Sequence, residues 1–234
     1  MNRNSIAIIT ARGGSKRIPH KNIKEFCGKP IIEYSIEAAK EAGIFDDIMV
    51  STDDDVIADI AIKAGAKIPF MRSQQTSNDY ATTADVLKEV LGKYKEAGRI
   101  FEIACCIYPT APFVTGDKLK KAVETLESKD FDSVMPVTSF SFPPLRGMKL
   151  NNEKLQYKWP EYAMKRSQDI ETIYHDCGQF YALNVSRFLN TGLLVTDNTG
   201  GIVISEMEVQ DIDNEIDWEL AELKYKLLKE KGRI

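Results

Sequence analysis

The sequence is poor in residues that bind transition metals or form disulfide frameworks. Its 234 residues include two histidines and four cysteines, and no pair of cysteines has C-x-x-C spacing. A structural zinc site is therefore not expected, and the cysteine usage predicts a reducing, cytoplasmic setting without disulfides. No apolar run reaches membrane-spanning length, and the first one is too short for a signal peptide, so we expect no membrane association.

Two common nucleotide-binding motifs are also missing. No G-K-[ST] closes a phosphate loop and G-x-G-x-x-G is absent, which disfavours a P-loop kinase and a dinucleotide enzyme. The formal net charge of −4 argues against a nucleic-acid partner. With 43% hydrophobic residues, the chain suits one α/β domain with an inserted subdomain.

A basic loop follows the first apolar run, Ile6–Ile9, which is predicted to be a buried strand. Residues 11–22 read A-R-G-G-S-K-R-I-P-H-K-N, and no acid appears before Glu25. Paired Gly13 and Gly14 let backbone amides turn toward a ligand. Amides and cations at a strand end form an anion cradle suited to a polyphosphate; the alternative is a solvated basic loop. The cations are Arg12, Lys16, Arg17, Lys21 and Lys24.

Strand and helix patterns alternate along most of the chain. Strands are predicted at 48–52, 67–70, 103–108, 133–137, 178–183 and 202–204, the last after a turn at Gly200–Gly201. Helices are predicted at 30–41, from an Asp53–Asp55 cap to near 65, at 83–94, from a Thr115 or Asp117 cap to 126, and at 215–229. The alternation predicts an α/β fold with a mostly parallel sheet and helices on both faces, with ligands beyond the carboxyl ends of the strands.

The alternation breaks between about Thr138 and Asp176. This segment is rich in aromatic residues and proline and has no clear helical period. Long loops inside a compact domain are uncommon unless they are functional. An excursion that packs on another subunit is the preferred interpretation, and a long loop is the alternative.

Two carboxylates precede the last predicted helix, in Asp211-Ile212-Asp213. Alternation along an extended segment places both on one face. A pair of hard oxygen ligands suits Mg²⁺, which keeps several waters and bridges to phosphate oxygens. Alternatively, Asp213 only caps the helix and Asp211 is solvated.

Together these residues carry a family resemblance. The loop A-R-G-G-S-K-R-I-P-x-K-N resembles the signature of the CMP-sialic acid synthetases, or acylneuraminate cytidylyltransferases. Ser51-Thr52-Asp53, Pro109-Thr110-Ala111-Pro112 and Asp211-Ile212-Asp213 occur in the same order as in that family. Residues 165–169 (K-R-S-Q-D) and 174–181 (Y-H-D-C-G-Q-F-Y) look like the pseudaminic acid branch. Tyr108 and Cys177 depart from the sialic acid branch, which usually has Gln and an Asn-Gly pair there.

The resemblance implies a Rossmann-like nucleotidyltransferase fold, a single domain over 1–234 with an inserted dimerisation arm at about 138–176. It implies transfer of CMP from CTP to the anomeric hydroxyl of a nonulosonic acid by a Mg²⁺-dependent homodimer that makes a precursor for surface glycans or flagellin. Phosphate contacts fall on Arg12, Gly13, Gly14, Ser15, Lys16, Arg17, Lys21 and Asn22, and cytidine contacts on Arg72 and Thr83. Asp211 and Asp213 match the Mg²⁺ ligands, and the expected catalytic residues are Lys21, Arg12, Lys16 and Asp211. Sugar contacts are expected from Tyr108, Arg166, Gln168, His175, Asp176, Gln179 and Tyr181.

Several roles have alternatives at this stage. Arg166 either pairs with the sugar carboxylate or forms an ordinary surface ion pair. His175 and Asp176 either act as sugar contacts or as a base, or they form a structural hydrogen bond. The acceptor is either pseudaminic acid or a relative such as N-acetylneuraminic or legionaminic acid. A rival of another class is a non-catalytic nucleotide-binding protein on the same fold.

Overall fold

The apolar runs of the sequence form the strands of a central sheet. The structure, a computed structural model, describes residues 4–15 and 17–234. In chain order the strands are β1 (Ser5–Thr10), β2 (Glu25–Phe26), β3 (Lys29–Pro30), β4 (Asp47–Ser51), β5 (Ile103–Ile107), β6 (Ser133–Ser139), β7 (Met148–Asn151), β8 (Lys154–Tyr157), β9 (Tyr174–Asp176), β10 (Phe180–Asn184) and β11 (Thr199–Val203).

Amphipathic segments between these strands, and one after the last strand, form the helices. They are α1 (Ile31–Ala42), α2 (Asp55–Ala64), α3 (Gln74–Ser77), α4 (Thr83–Glu96), α5 (Gly116–Ser128), α6 (Val185–Thr191) and α7 (Glu215–Glu230). Single 3₁₀ turns lie at Lys21–Ile23, Pro144–Arg146, Pro160–Tyr162, Ser167–Asp169 and Glu206–Glu208. No helix within the described ranges combines the length and apolar character that crossing a bilayer requires.

The central sheet has the order β11-β6-β10-β5-β1-β4, with β9 paired to the end of β6. β1 runs parallel to β4 and β5, and β6 runs parallel to β11. β10 lies antiparallel between β5 and β6. The predicted α/β fold with a mostly parallel sheet is confirmed, and β10 is the strand that joins its two parallel halves.

Helices cover both faces of the sheet, as predicted. Alternate residues of β1 point to opposite sides, so Ala7 and Ile9 join one core while Ile6 and Ile8 join the other. The first core is completed by α1, α2 and α5, and the second by α4 and α6. A third cluster packs α7 through Trp218 against Phe26 and Ile18, next to the basic loop.

Short polar motifs set the helix boundaries. Asp54 caps α2 by accepting hydrogen bonds from Val56 N at 2.8 Å and Ile57 N at 3.1 Å. Of the two predicted caps for α5, Thr115 is the one used, because its hydroxyl accepts from Lys118 N. The N-termini of α2 and α5 thus agree with the preference for Asp and Thr at the N-cap of a helix.

Two strand predictions were wrong in detail. Residues 67–70 do not form a strand; Lys67 makes a single parallel bridge to Met49. Gly200 and Gly201 are not a turn but lie inside β11. A Cβ on Gly200 would lie 2.4 Å from the Phe131 ring, so glycine here allows a close approach instead of a reversal of the chain.

The excursion near residue 140 has its own structure. Thr138 and Ser139 still belong to β6 and pair with His175 and Tyr174 of β9. The chain therefore leaves the sheet after Ser139 and returns at Tyr174, and we call residues 140–173 the arm. Within it, β7 and β8 form an antiparallel hairpin. Asn152 and Glu153 at its tip have φ of 46° and 65°, the left-handed region required by tight hairpin turns.

Candidate active site

The basic loop is held at the carboxyl end of β1 by its neighbour β4. Ala11 N donates to Ser51 O at 2.9 Å, and Gly13 N donates to the Asp53 carboxylate at 2.9 Å. A Cβ on Gly13 would lie 2.7 Å from Asp54 Oδ2, so a side chain here would collide with the start of α2. Asn22 closes the loop by donating to Arg12 O at 2.8 Å. Ser51-Thr52-Asp53 therefore supports the loop from behind.

A cavity of about 790 Å³ opens in front of the loop. It lies beyond the carboxyl ends of β1, β5 and β6, where parallel sheets bind ligands. The predicted phosphate residues on its wall are Arg12, Gly14, Ser15, Arg17, Lys21 and Asn22. Gly13 turns instead toward Asp53 and Asp54. Lys16, also predicted to bind phosphate, lies outside the described residues.

The loop cations that the structure describes, which leave out Lys16, are paired with protein oxygens. Arg17 forms an ion pair of 2.8 Å with Asp213, and Lys21 Nζ donates to Ile212 O at 2.7 Å. Arg12 forms an ion pair of 2.8 Å with Asp79. Burial lowers the pKa of Lys21, while the carboxylates of Asp213 and Asp211 oppose that shift. The loop and the acidic segment, far apart in sequence, thus form one electrostatic unit.

The two acidic residues share one side of an extended segment. Ile212 between them is buried in the cluster with Trp218, so its neighbours face away from the core. Asp211 is exposed on the cavity wall, and Asp213 contacts Arg17.

The cap of α7 is Asn214, not Asp213. The Asn214 side chain accepts from Asp217 N at 3.1 Å, while the Asp217 carboxylate accepts from Asp213 N at 2.9 Å. This capping box leaves the Asp213 carboxylate out of the helix cap, so the capping alternative for Asp213 is wrong.

Side chains from α5, from α7 and from the link between β9 and β10 anchor the segment that leads to the acidic pair. Gln179 Nε2 donates to Glu208 O at 2.6 Å, and Lys118 forms an ion pair of 2.7 Å with the Glu208 carboxylate. From α7, Lys224 Nζ donates to Val209 O at 2.7 Å. Gln179, expected in the sugar pocket, is buried and lies outside the cavity wall, where it fixes this segment.

The far end of the cavity is lined by tyrosines. The rings of Tyr108 and Tyr181 meet edge to face at 6.0 Å, and the hydroxyls of Tyr108 and Thr83 lie 3.1 Å apart. Tyr181 donates its hydroxyl hydrogen bond to Asp176, whose carboxylate also accepts from Gly178 N at 2.8 Å. Burial, followed by the hydrogen bond to Asp176, raises the pKa of Tyr181, so this phenol stays neutral and donates.

His175 and Asp176 both line the cavity but do not form a catalytic pair with each other. His175 Nδ1 lies 2.9 Å from the backbone oxygen of Asp176, and the Asp176 carboxylate is bonded to Tyr181 and Gly178. Since a carbonyl oxygen only accepts, the proton of a neutral His175 lies on Nδ1 and the lone pair on Nε2. The His175 ring packs against Phe140 with centroids 4.7 Å apart.

The remaining predicted residues lie outside this cavity wall. Arg72 is buried and donates to Ser51 O at 2.6 Å, and burial lowers its pKa. Thr83 is the first residue of α4 and contacts Tyr108 from behind. Arg166 is exposed on the arm with Gln168, and its guanidinium contacts the Asp169 carboxylate twice, at 2.8 and 3.3 Å.

Several wall residues were not foreseen from sequence. Thr138 lies near the end of β6, and Lys224 reaches the cavity from the middle of α7. Glu206, Val209 and Gln210 come from the segment before the acidic pair. Thr138 and Lys224 lie far in sequence from the predicted motifs. Glu206, Val209 and Gln210 closely precede Asp211-Ile212-Asp213, and only that proximity could have indicated them.

Two known proteins match this sequence over nearly their whole length. A pseudaminic acid cytidylyltransferase of Campylobacter jejuni is 39% identical over 229 residues, covering 97% of this chain and 99% of that protein. A CMP-N,N'-diacetyllegionaminic acid synthase of Legionella pneumophila is 32% identical, covering 96% of this chain and 97% of that protein.

Solved structures show the same fold at lower identity. A CMP:2-keto-3-deoxy-manno-octonic acid synthetase complexed with CTP aligns with a TM-score of 0.67 at 18% identity, covering 97% of this chain and 99% of that one. A 4-diphosphocytidyl-2C-methyl-D-erythritol synthase of Anaerococcus prevotii gives 0.64 at 16% identity. Residues 6–187 match the family described as Cytidylyltransferase. The chain belongs to the cytidylyltransferase family of nucleotidyltransferases.

Proposed function

We propose that this protein transfers CMP from CTP to the anomeric hydroxyl of a nonulosonic acid, with pseudaminic acid as the acceptor. The observation that carries this proposal is one cavity that joins the cationic loop, Asp211 and a wall of two tyrosines. The match to the Campylobacter enzyme over nearly the full length of both chains supports the acceptor. The four cysteines are unpaired, which suits a reducing cytoplasm.

The reaction is an attack of the sugar hydroxyl on the α-phosphorus of CTP, with pyrophosphate leaving. Arg12, Arg17 and Lys21 stabilise the charge that develops on the leaving group, with Lys16 as the fourth cation of the loop. Gly14 and Ser15 line the cavity and would contact the phosphates, while the Ser15 amide donates to Gly13 O at 3.0 Å and holds the turn of the loop. Catalysis is then mainly positioning and charge stabilisation, as in other phosphoryl transfers.

Asp211 and Asp213 would hold Mg²⁺. Two carboxylates on one side of a segment fit an ion that takes its remaining ligands from water and phosphate. Within residues 4–15 and 17–234 no group of three His, Cys, Asp or Glu side chains could hold a metal, as a dedicated protein cage would need. When bound, the ion would supply charge neutralisation at the α-phosphate.

The acceptor lies at the tyrosine end. Tyr108, Tyr181 and Asp176 give a polar, partly aromatic wall that suits a sugar with several hydroxyl and amide groups. His175 Nε2 carries a lone pair that is available to take the proton of the attacking hydroxyl.

We include a homodimer in the proposal. The arm exposes large apolar side chains such as Phe142, Leu150 and Leu155. Arg166 on the arm lies outside the cavity of its own subunit, so it would reach a sugar carboxylate only across a dimer. An arm that docks on a second copy would cover the apolar residues and bring Arg166 to the second cavity.

The proposal is tested by measuring pyrophosphate release with CTP and three acceptors: pseudaminic, N,N'-diacetyllegionaminic and N-acetylneuraminic acid. We expect release with pseudaminic acid, and Asp211→Asn should reduce it at least about 100-fold while the exposed control Glu215→Gln does not. Release only with another acceptor would correct the substrate. CTP binding without release from any acceptor would favour a non-catalytic nucleotide-binding protein.

A further inference from the structure

The last helix, α7, carries two apolar faces, and only one of them is used within the chain. Trp218, Ala221 and Leu228 are buried against Phe26 and its neighbours. A second row stands in solvent, with exposed fractions of 69% for Ile216, 44% for Leu220, 63% for Leu223 and 38% for Leu227. Such a continuous apolar row on a surface helix marks an interaction site.

The spacing of the exposed row specifies the shape of its partner. The four residues follow one another at intervals of four, three and four, which is the alternation of seam positions in a coiled coil. The row therefore suits another helix lying along α7. The exposed row is bounded at both ends by charged residues, because Asp213 and Glu230 occupy the next positions of the same spacing.

The charges of α7 favour a second copy of the same helix in the opposite direction. The first half carries Glu215, Asp217, Glu219 and Glu222, and the second half carries Lys224, Lys226 and Lys229, with Glu230 as its last residue and Lys231 as the C-cap. A parallel pair would bring like charges and like ends of the helix dipoles together. An antiparallel pair brings the acidic half of one helix against the basic half of the other.

The register of that antiparallel pair is compatible with two-fold symmetry. When Ile216 faces Leu227 of the partner subunit, Leu220 faces Leu223 of the partner subunit, and the two-fold axis repeats both contacts. The same register places Glu219 beside Lys226 of the partner subunit at the edge of the seam. Glu219 forms no ion pair within the described part of its own chain, and Lys226 lies 3.3 Å from Glu222.

We propose that α7 pairs antiparallel with α7 of a second copy of this chain, through Ile216, Leu220, Leu223 and Leu227 and with Glu219 against Lys226 of the partner subunit. Four side chains per copy form a small seam compared with the roughly 800 Å² per partner of a typical stable interface. The helix pair is therefore one part of a larger contact between copies. It does not depend on the reaction that the protein catalyses.

The first test compares self-association of the wild type with that of the Leu220→Glu, Leu223→Glu variant, using sedimentation of a dilution series. We expect the dissociation constant to rise at least about tenfold, because both leucines lose buried apolar contacts. The matched control is Val56→Glu, which places a charge on another exposed apolar position, 57% accessible on α2. Thermal unfolding verifies that each variant is folded. An unchanged dissociation constant, or a wild type that stays monomeric, would overturn the proposal.

The second test addresses direction and partner. Glu219→Lys and Lys226→Glu should each weaken association by about two- to fivefold, as expected for exposed ion pairs repeated by the two-fold. Combining both changes should restore the wild-type dissociation constant. A double variant no tighter than either single one would overturn the antiparallel pair and indicate that another part of the second copy, such as its arm, covers α7. Both tests measure self-association and not catalysis. A failure of the proposed function would therefore leave their results unchanged.

Discussion

Lys21 shows how one side chain links two distant motifs. From sequence it is a phosphate contact; in the structure its ammonium group donates to Ile212 O, 191 residues away. The carbonyl lies between the two aspartates, so a lysine at this place also orients the acidic segment.

We predict that Lys21→Met lowers kcat/KM for CTP by at least about 100-fold, the usual effect of removing one donor that stabilises transition-state charge. Steady-state pyrophosphate release would measure it. Lys24→Met is the matched control, because Lys24 belongs to the same basic run but pairs with Glu215 outside the cavity wall. Equal effects of the two substitutions would show that Lys21 has no special place in the site.

Gln179 is expected in the sugar pocket, but the structure gives it a different contact. It is 3% exposed and holds the backbone at Glu208 instead of facing the sugar end of the cavity. We predict that Gln179→Leu lowers the free energy of unfolding by about 1–3 kcal/mol, because Glu208 O loses its buried donor. Urea denaturation measures this, with Gln168→Leu on the exposed arm as the control. A raised KM for the acceptor with unchanged stability would instead make Gln179 a sugar contact.

Among the elements, the contact between α1 and α5 depends on the absence of a side chain. A Cβ on Gly116 would lie 2.7 Å from Ala42 N, and backbone atoms cannot move aside as a flexible side chain can. We predict that Gly116→Ala destabilises the protein by about 1–3 kcal/mol.

A second glycine gives the matched control. Gly92 lies inside α4, and a Cβ there would meet nothing within 4 Å. Gly92→Ala should therefore raise stability by about 0.5–1 kcal/mol through helix propensity alone. Chemical denaturation of both variants would check the pair, and a loss of stability in both would contradict the packing argument.

The junction of α3 and α4 contains a carboxylate that responds to acid. Burial of Glu89 favours its neutral form, but hydrogen bonds from Lys93, Thr76 and Ser73 together outweigh this and lower its pKa to about 2. The ionised group therefore stabilises the fold above its ordinary pKa of 4.5, and this contribution is lost as the pH falls from there toward 2.

We predict that Glu89→Gln is less stable than the wild type at pH 7 and that the two converge toward pH 2. Urea unfolding at a series of pH values measures the difference. Glu96→Gln, an exposed position near the end of the same helix, is the control. A difference between wild type and Glu89→Gln that stays constant with pH would exclude the ionised carboxylate as the cause.

At the scale of the whole molecule, the arm can be deleted without interrupting a strand of the central sheet. Ser139 and Tyr174 are paired neighbours on β6 and β9, so an Asn-Gly turn can replace residues 140–173 between them. We predict that this variant keeps a cooperative unfolding transition but self-associates at least about tenfold more weakly. Light scattering over a dilution series measures it. Unchanged association would show that the arm takes no part in self-association.

The parts of this molecule that could be predicted are those specified locally. The spacing of Ile32 and Ile36 indicated α1, the run Asp53–Asp55 indicated the start of α2, and the two candidate caps Thr115 and Asp117 indicated the start of α5. The loop and the acidic pair were identified because residues within a few positions share one chemistry. The contact of Lys21 with Ile212 and the anchoring of Glu208 by Gln179 could not be predicted, because both depend on pairings between distant segments.

The antiparallel placement of β10 has a consequence for how the chain folds. Among the described strands, β10 alone joins the β5-β1-β4 half of the sheet to the β6-β11 half. During synthesis the first half can assemble once β5 has emerged, but β6 has no neighbour in that half until Phe180–Asn184 are made. Pairings that wait for such distant residues slow folding and prolong the exposure of unpaired edges. This strand, although short, therefore determines when the two halves become one cooperative unit.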